Sequence, residues 1–157
     1  MNKGNRARTN RLNITSDITS DITSDMRKLD SATKKTILVV DDDPDITTVI
    51  KFWLQKNGFV AYEFTDPVLA LEFFSNNPED IDLVVCDIRM PQINGYELVT
   101  KIKAVQSEIK VILMSAFEIK KEELLKVLPS VKIDILVSKP ISMKRLGEKI
   151  IHVLKNE

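Results

Sequence analysis

An α/β fold built on a doubly wound, five-stranded parallel sheet is predicted by three features of the sequence. Four short runs are apolar without polar alternation: Ile37-Leu38-Val39-Val40, Leu83-Val84-Val85-Cys86, Val111-Ile112-Leu113-Met114 and Ile135-Leu136-Val137. Runs of this kind suit strands buried on both faces by helices. Amphipathic stretches of helical length separate them, giving the alternation of a βα repeat. Each run also ends on chemically pointed residues, namely Asp41-Asp42-Asp43, Asp87, Ser115 and Ser138-Lys139-Pro140. Ligands of open parallel sheets bind beyond the carboxyl ends of the strands. Acids, a hydroxyl and an amine from distant parts of the chain are thus delivered to one rim, a place for a metal ion and a phosphoryl group.

The elements follow in order from Thr36. After the first run, Pro44 stands where a first helical turn tolerates proline. Ile46, Val49, Ile50, Trp53 and Leu54 then form an apolar stripe that Asn57-Gly58 closes. Val60, Tyr62 and Phe64 alternate with Ala61 and Glu63, predicting a half-buried edge strand. Asp66-Pro67 reads as a cap plus first-turn proline, opening a helix to about Asn76. A strand at 83–87 leads into a loop with Met90-Pro91 and Gly95, the glycine expected to adopt a backbone angle closed to other residues. A helix to about Val105, a strand at 110–115, a helix near 120–128 and a strand at 134–138 come next. Ser142 caps the last helix, whose stripe is Leu146, Ile150, Val153 and Leu154. Five strands and five helices in this sequence predict a flavodoxin-like arrangement with strand order 2-1-3-4-5. No output domain is expected after the last helix.

Composition narrows the function classes. The 157 residues suffice for one domain with a proper core. Zero net charge conceals a split, because residues 1 to 35 hold eight Lys and Arg against four Asp, leaving the remainder at −4. An acidic body argues against nucleic acid as its main ligand, so no DNA-binding role is expected. The single Cys86 rules out an internal disulfide and fits a reducing compartment. With neither an apolar span nor a secretory signal, a cytoplasmic location is expected. Three tandem Ile-Thr-Ser-Asp copies occupy residues 14 to 25. One isoleucine in four cannot build a core, so residues 1 to 35 are expected to be a disordered tail. His152, the sole histidine, falls on the last helix, away from the expected rim.

Strands 1 and 3 are neighbours in the expected order, so Asp41, Asp42 and Asp87 should lie side by side. Two carboxylates about 5 Å apart repel by ~3 kcal/mol at an effective dielectric near 20. Three such groups call for a small hard cation with oxygen ligands, for which Mg²⁺ is the usual choice. Helix capping could account for Asp43 or Asp45, but not for Asp87.

The stretches ILVVDDDPD, LVVCDIRMPQINGYEL, VILMSAF and LVSKPIS, in this order and spacing, resemble the receiver domain of two-component response regulators. The resemblance covers about residues 36 to 155. It implies that Asp87 is the phosphoacceptor, forming an aspartyl phosphate, and that Asp42 and Asp87 bind Mg²⁺ directly. Asp41 would act through a metal-bound water and Arg89 through its backbone carbonyl. Lys139 would pair with Asp87 at rest and with the phosphoryl oxygen afterwards, and Ser115 would donate a hydrogen bond to the phosphoryl group. The small Ala116 leaves the approach open. The Lys139-Pro140 bond is cis in typical members. Partners implied are a sensor histidine kinase or phosphotransfer protein and a downstream effector read by the last two helices and the strand between them.

Two departures stand out. The position three residues before Lys139, usually Tyr or Phe in receivers, is Leu136. The lifetime-tuning positions, two beyond Asp87 and two beyond Ser115, are Arg89 and Phe117, expected to obstruct an attacking water. The strongest rival is a phosphatase of the haloacid dehalogenase type, with its nucleophile in Asp-x-Asp-x-Thr/Val. Asp41-Asp42-Asp43-Pro44-Asp45 has Asp where Thr or Val is needed, and no cap domain is evident. A phosphorylation-independent interaction module is a third reading, which the intact site disfavours.

Overall fold

A computed structural model describes residues 34–156. Of the tail expected over residues 1 to 35, residues 1 to 33, with the repeats, lie outside the described residues. Five parallel strands are β1 (Thr36–Val40), β2 (Val60–Phe64), β3 (Leu83–Asp87), β4 (Lys110–Ser115) and β5 (Ile135–Ser138). They stand in the order β2-β1-β3-β4-β5. The helices between and after them are α1 (Pro44–Lys56), α2 (Pro67–Asn76), α3 (Gly95–Val105), α4 (Lys121–Val127) and α5 (Met143–Lys155). This is the predicted doubly wound architecture.

Side chains alternate across each strand, and both faces are covered. Ile37, Val39, Leu83, Val85, Ile112 and Met114 pack with Ile50, Leu54, Leu146 and Ile150 of α1 and α5. Leu38, Val40, Val84, Cys86, Val111 and Leu113 pack with Ala70, Phe74, Leu98 and Ile102 of α2 and α3. That is why the interior runs show no polar alternation. Asp43 and Asp66 cap α1 and α2 by accepting backbone N–H bonds ahead of first-turn prolines, each cap worth about 1 kcal/mol.

β2 is the half-buried edge strand expected, with Ala61 as its buried residue. Tyr62 and Phe64 pack against Phe73 of α2 through rings 4.7 and 5.2 Å apart, and Tyr62 stays exposed. Two expectations need correcting. Val49 is exposed despite its place in the α1 stripe, because it lies on the flank of that helix, lining a surface cavity. Ile135 and Leu136 are only half-buried. β5 is an edge strand, and α4 nearby is short, has no side-chain cap and buries none of its residues.

No helix among the described residues is long and apolar enough to cross a membrane. In the described part of the tail, Lys35 already joins the sheet, its carbonyl accepting from Val60 N at 3.0 Å and its ammonium pairing with Asp82 at 3.1 Å.

Candidate functional site

Strand register assembles the rim. Val40 pairs with Cys86, so Asp41, just beyond β1, is level with Asp87 at the end of β3. Asp87 pairs with Met114, one residue before Ser115, and Ser115 pairs with Ser138, one residue before Lys139. Asp41, Asp87 and Ser115 are buried, whereas Asp42 is exposed.

Lys139 Nζ donates to Asp41 Oδ2 at 2.6 Å and to Asp87 Oδ1 at 2.8 Å. The second oxygen of each acid accepts a backbone N–H two residues on. Asp43 N lies 3.0 Å from Asp41 Oδ1, and Arg89 N lies 3.1 Å from Asp87 Oδ2. Each carboxylate is thereby held at both oxygens, which fixes its orientation. Ser115 Oγ accepts from Phe117 N at 3.1 Å. The Lys139-Pro140 bond is cis.

Burial pushes the Asp87 carboxyl above the usual carboxylate range, Asp41 and Asp42 push it further, and the Lys139 hydrogen bond offsets part of this. Burial acts to lower Lys139, but its hydrogen bonds to Asp41 and Asp87 outweigh that and hold it above the ordinary lysine value. Asp41, Asp42 and Asp87 each offer an oxygen within 4.8 Å of the others. Two or three hard oxygen donors that gather surplus negative charge fit a small divalent cation.

Every site residue named from the sequence lies at or beside this rim except Leu136. That residue pairs with Leu113 inside β5 and packs on the α2–α3 side of the sheet. His152 is exposed on α5, and Cys86 is fully buried, its thiol pushed up by burial. Three features were missed from the sequence. Lys139 bridges Asp41 as well as Asp87. Arg89 and Phe117 stack on one another, with the guanidinium carbon 4.1 Å from the ring centroid. Gly95 is not at an unusual backbone angle; the positive φ in that loop belongs to Gln92, at 70°. Its glycine is required by space, because a Cβ there would intrude on the Asp87 carbonyl oxygen and lie 2.8 Å from Ile88 Cα. Only a close approach of α3 to the strand carrying Asp87 could have signalled this.

The family model of the response regulator receiver domain matches residues 37–151, and the chain belongs to that family. It is 30% identical over 129 residues to the transcriptional regulatory protein RprY of Bacteroides fragilis, covering 81% of this chain and 52% of that protein. The chain therefore spans about half the length of that curated relative. A CheY-like response regulator receiver domain protein of Methanospirillum hungatei superposes with a TM-score of 0.71 at 26% identity, over 78% of this chain and 95% of the other. The BeF3-activated DrrB receiver domain superposes with a TM-score of 0.65 at 30% identity, over 79% and 100% respectively.

Proposed function

We propose that this chain is a Mg²⁺-dependent phosphoacceptor switch that receives a phosphoryl group on Asp87 from a histidine kinase or phosphotransfer protein. The observation that carries this reading is the seating of Asp87 at the end of the central strand, bonded to Lys139 and within reach of Asp41 and Asp42. An Asp87 oxygen forms the new P–O bond while the bond from phosphorus to the donor imidazole nitrogen breaks, and the imidazole leaves with the electron pair. In-line transfer of this kind depends on positioning and on charge stabilisation. Arg89 N–H and Lys139 orient the carboxylate. Lys139 stands ready to follow the phosphoryl oxygens, and the Ser115 hydroxyl supplies a further donor. Asp42 and Asp87 would hold Mg²⁺ directly, with Asp41 acting through water and the Arg89 carbonyl completing the protein ligands. When bound, the ion neutralises the acidic cluster and the charge of the phosphoryl oxygens. The signal leaves by protein contact through α4, β5 and α5, where Leu125 and Val127 are exposed.

Incubation with acetyl phosphate and Mg²⁺ is expected to add one phosphoryl group, seen by intact-mass measurement, and Asp87→Asn to add none. Stoichiometric uptake by the Asn variant would refute the assignment. For the metal, Asp42→Asn should weaken Mg²⁺ binding sharply in a calorimetric titration, since it removes a charge from the donor set. Asp43→Asn should matter far less, because Asp43 serves as the α1 cap and asparagine caps equally well. Equal losses from the two would place the ion elsewhere.

A further inference from the structure

We propose that Arg89 is a phosphoryl-binding residue held in reserve on the ring of Phe117, which it leaves when Asp87 is phosphorylated. The inference rests on the phosphoacceptor reading and assigns a role to a side chain for which that reading uses only the backbone.

Arg89 lies two residues beyond Asp87 and its backbone N–H bonds that carboxylate, yet its side chain makes no ion pair among the described residues. Lys139 already occupies the buried oxygens of Asp41 and Asp87. The guanidinium rests instead on the face of Phe117, a ring 55% exposed to solvent. Cation–π contacts at exposed rings are among the weaker attractions available to arginine. A phosphoryl group on Asp87 changes that balance. It brings nearly two negative charges and three acceptor oxygens, matched by the planar donor fork of a guanidinium. The Arg89 backbone is already tethered to the acceptor by its N–H to Asp87 Oδ2, so only the side chain has to turn.

Phe117 is released by the same event. Its N–H is bonded to Ser115 Oγ, and its ring is held by Arg89. Drawing Ser115 toward the phosphoryl group and removing Arg89 frees both attachments. α4 begins four residues later without a side-chain cap or a buried residue, so little opposes movement of this loop. An exposed aromatic next to α4 is then available to a partner, on a chain that has leucine at 136.

Ring and phosphoryl group thus compete for one guanidinium, and competition has a distinctive sign. Beryllofluoride, an acyl-phosphate mimic, is titrated into the full chain at saturating Mg²⁺ while the Ser115 amide is followed by NMR. Arg89→Ala should weaken the mimic about tenfold, with partial recovery in Arg89→Lys. Phe117→Leu, which removes the ring but keeps bulk, should tighten it by about two- to fivefold. The double variant should match Arg89→Ala. Both side chains are exposed, and unchanged melting temperatures will confirm that the variants fold. If Phe117→Leu weakens the mimic, or Arg89→Ala leaves it unchanged, the exchange is refuted while phosphorylation at Asp87 stands. If the unaltered chain takes up neither beryllofluoride nor acetyl phosphate, the phosphoacceptor reading falls and the exchange falls with it.

Discussion

Lys139→Met is expected to slow phosphorylation by acetyl phosphate about 10²- to 10³-fold, the loss typical of removing one preorganised donor from developing negative charge. Methionine retains the stem of the side chain and removes only the ammonium. That ammonium is the sole cation bonded to Asp41 and Asp87 among the described residues. Its loss strands two buried carboxylates beside a third, and removing one partner of a buried pair costs roughly 3 kcal/mol or more. Lys139 is itself 19% exposed, which puts the expectation at the low end. Its raised pKa means that its contribution is fully present below the ordinary lysine value and disappears only as pH rises past the folded-state value. At neutral pH the whole deficit should therefore appear as a lower melting temperature. It should shrink as pH falls and Asp87, already above the usual carboxylate range, takes up a proton, and Mg²⁺ should restore part of it. A variant phosphorylated at the normal rate would show that Lys139 has only a structural role.

Gly95→Ala is expected to damage both fold and site although it adds one methyl group. The new Cβ would overlap the Asp87 carbonyl oxygen and approach Ile88 Cα to 2.8 Å. These are backbone atoms at and just beyond the end of the central strand and cannot rotate aside as a side chain would. α3 would have to move out, disturbing Leu98, Val99 and Ile102, which are fully buried. Overpacking of this kind costs about 1–3 kcal/mol and occasionally more. A fall in denaturation midpoint of that size, with slower phosphorylation, is the expected result. Gly58→Ala makes a useful contrast, since nothing lies within 4 Å of its Cβ position and the strain there arises from φ of 89° alone. If Gly95→Ala were the milder of the two, the close approach of α3 to Asp87 would be misplaced.

Much of this fold was legible because buried parallel strands write themselves plainly. The runs before Asp41, Asp87 and Ser115 are covered on both faces, so every residue must be apolar and each run stops where the rim begins. The edge strands differed: alternation in β2 marked it as a half-buried edge, whereas exposure on β5 depends on the thin cover from α4. That property does not belong to the strand's own residues. The rim itself followed from strand order, since Asp41, Asp87, Ser115 and Lys139 each stand at or just beyond a strand end. What stayed hidden was pairwise: the bond from Lys139 to Asp41, the stack of Arg89 on Phe117, and the spatial demand at Gly95. The first two join loops separated by many residues, the third sets the start of a helix against backbone eight residues earlier, and no local periodicity reports which groups meet.

The central claim is that one carboxylate, Asp87, carries the phosphoryl group, and reductive trapping tests it most directly. The chain is phosphorylated with acetyl phosphate and Mg²⁺ and then treated with borohydride, which reduces an acyl phosphate to an alcohol and converts the aspartate that bore it to homoserine. Peptide sequencing by mass spectrometry then reads the position. Homoserine at position 87 and at no other aspartate is the predicted result. Homoserine at 41, 42 or 43, or a phosphoryl group that survives borohydride on Ser115, would contradict it.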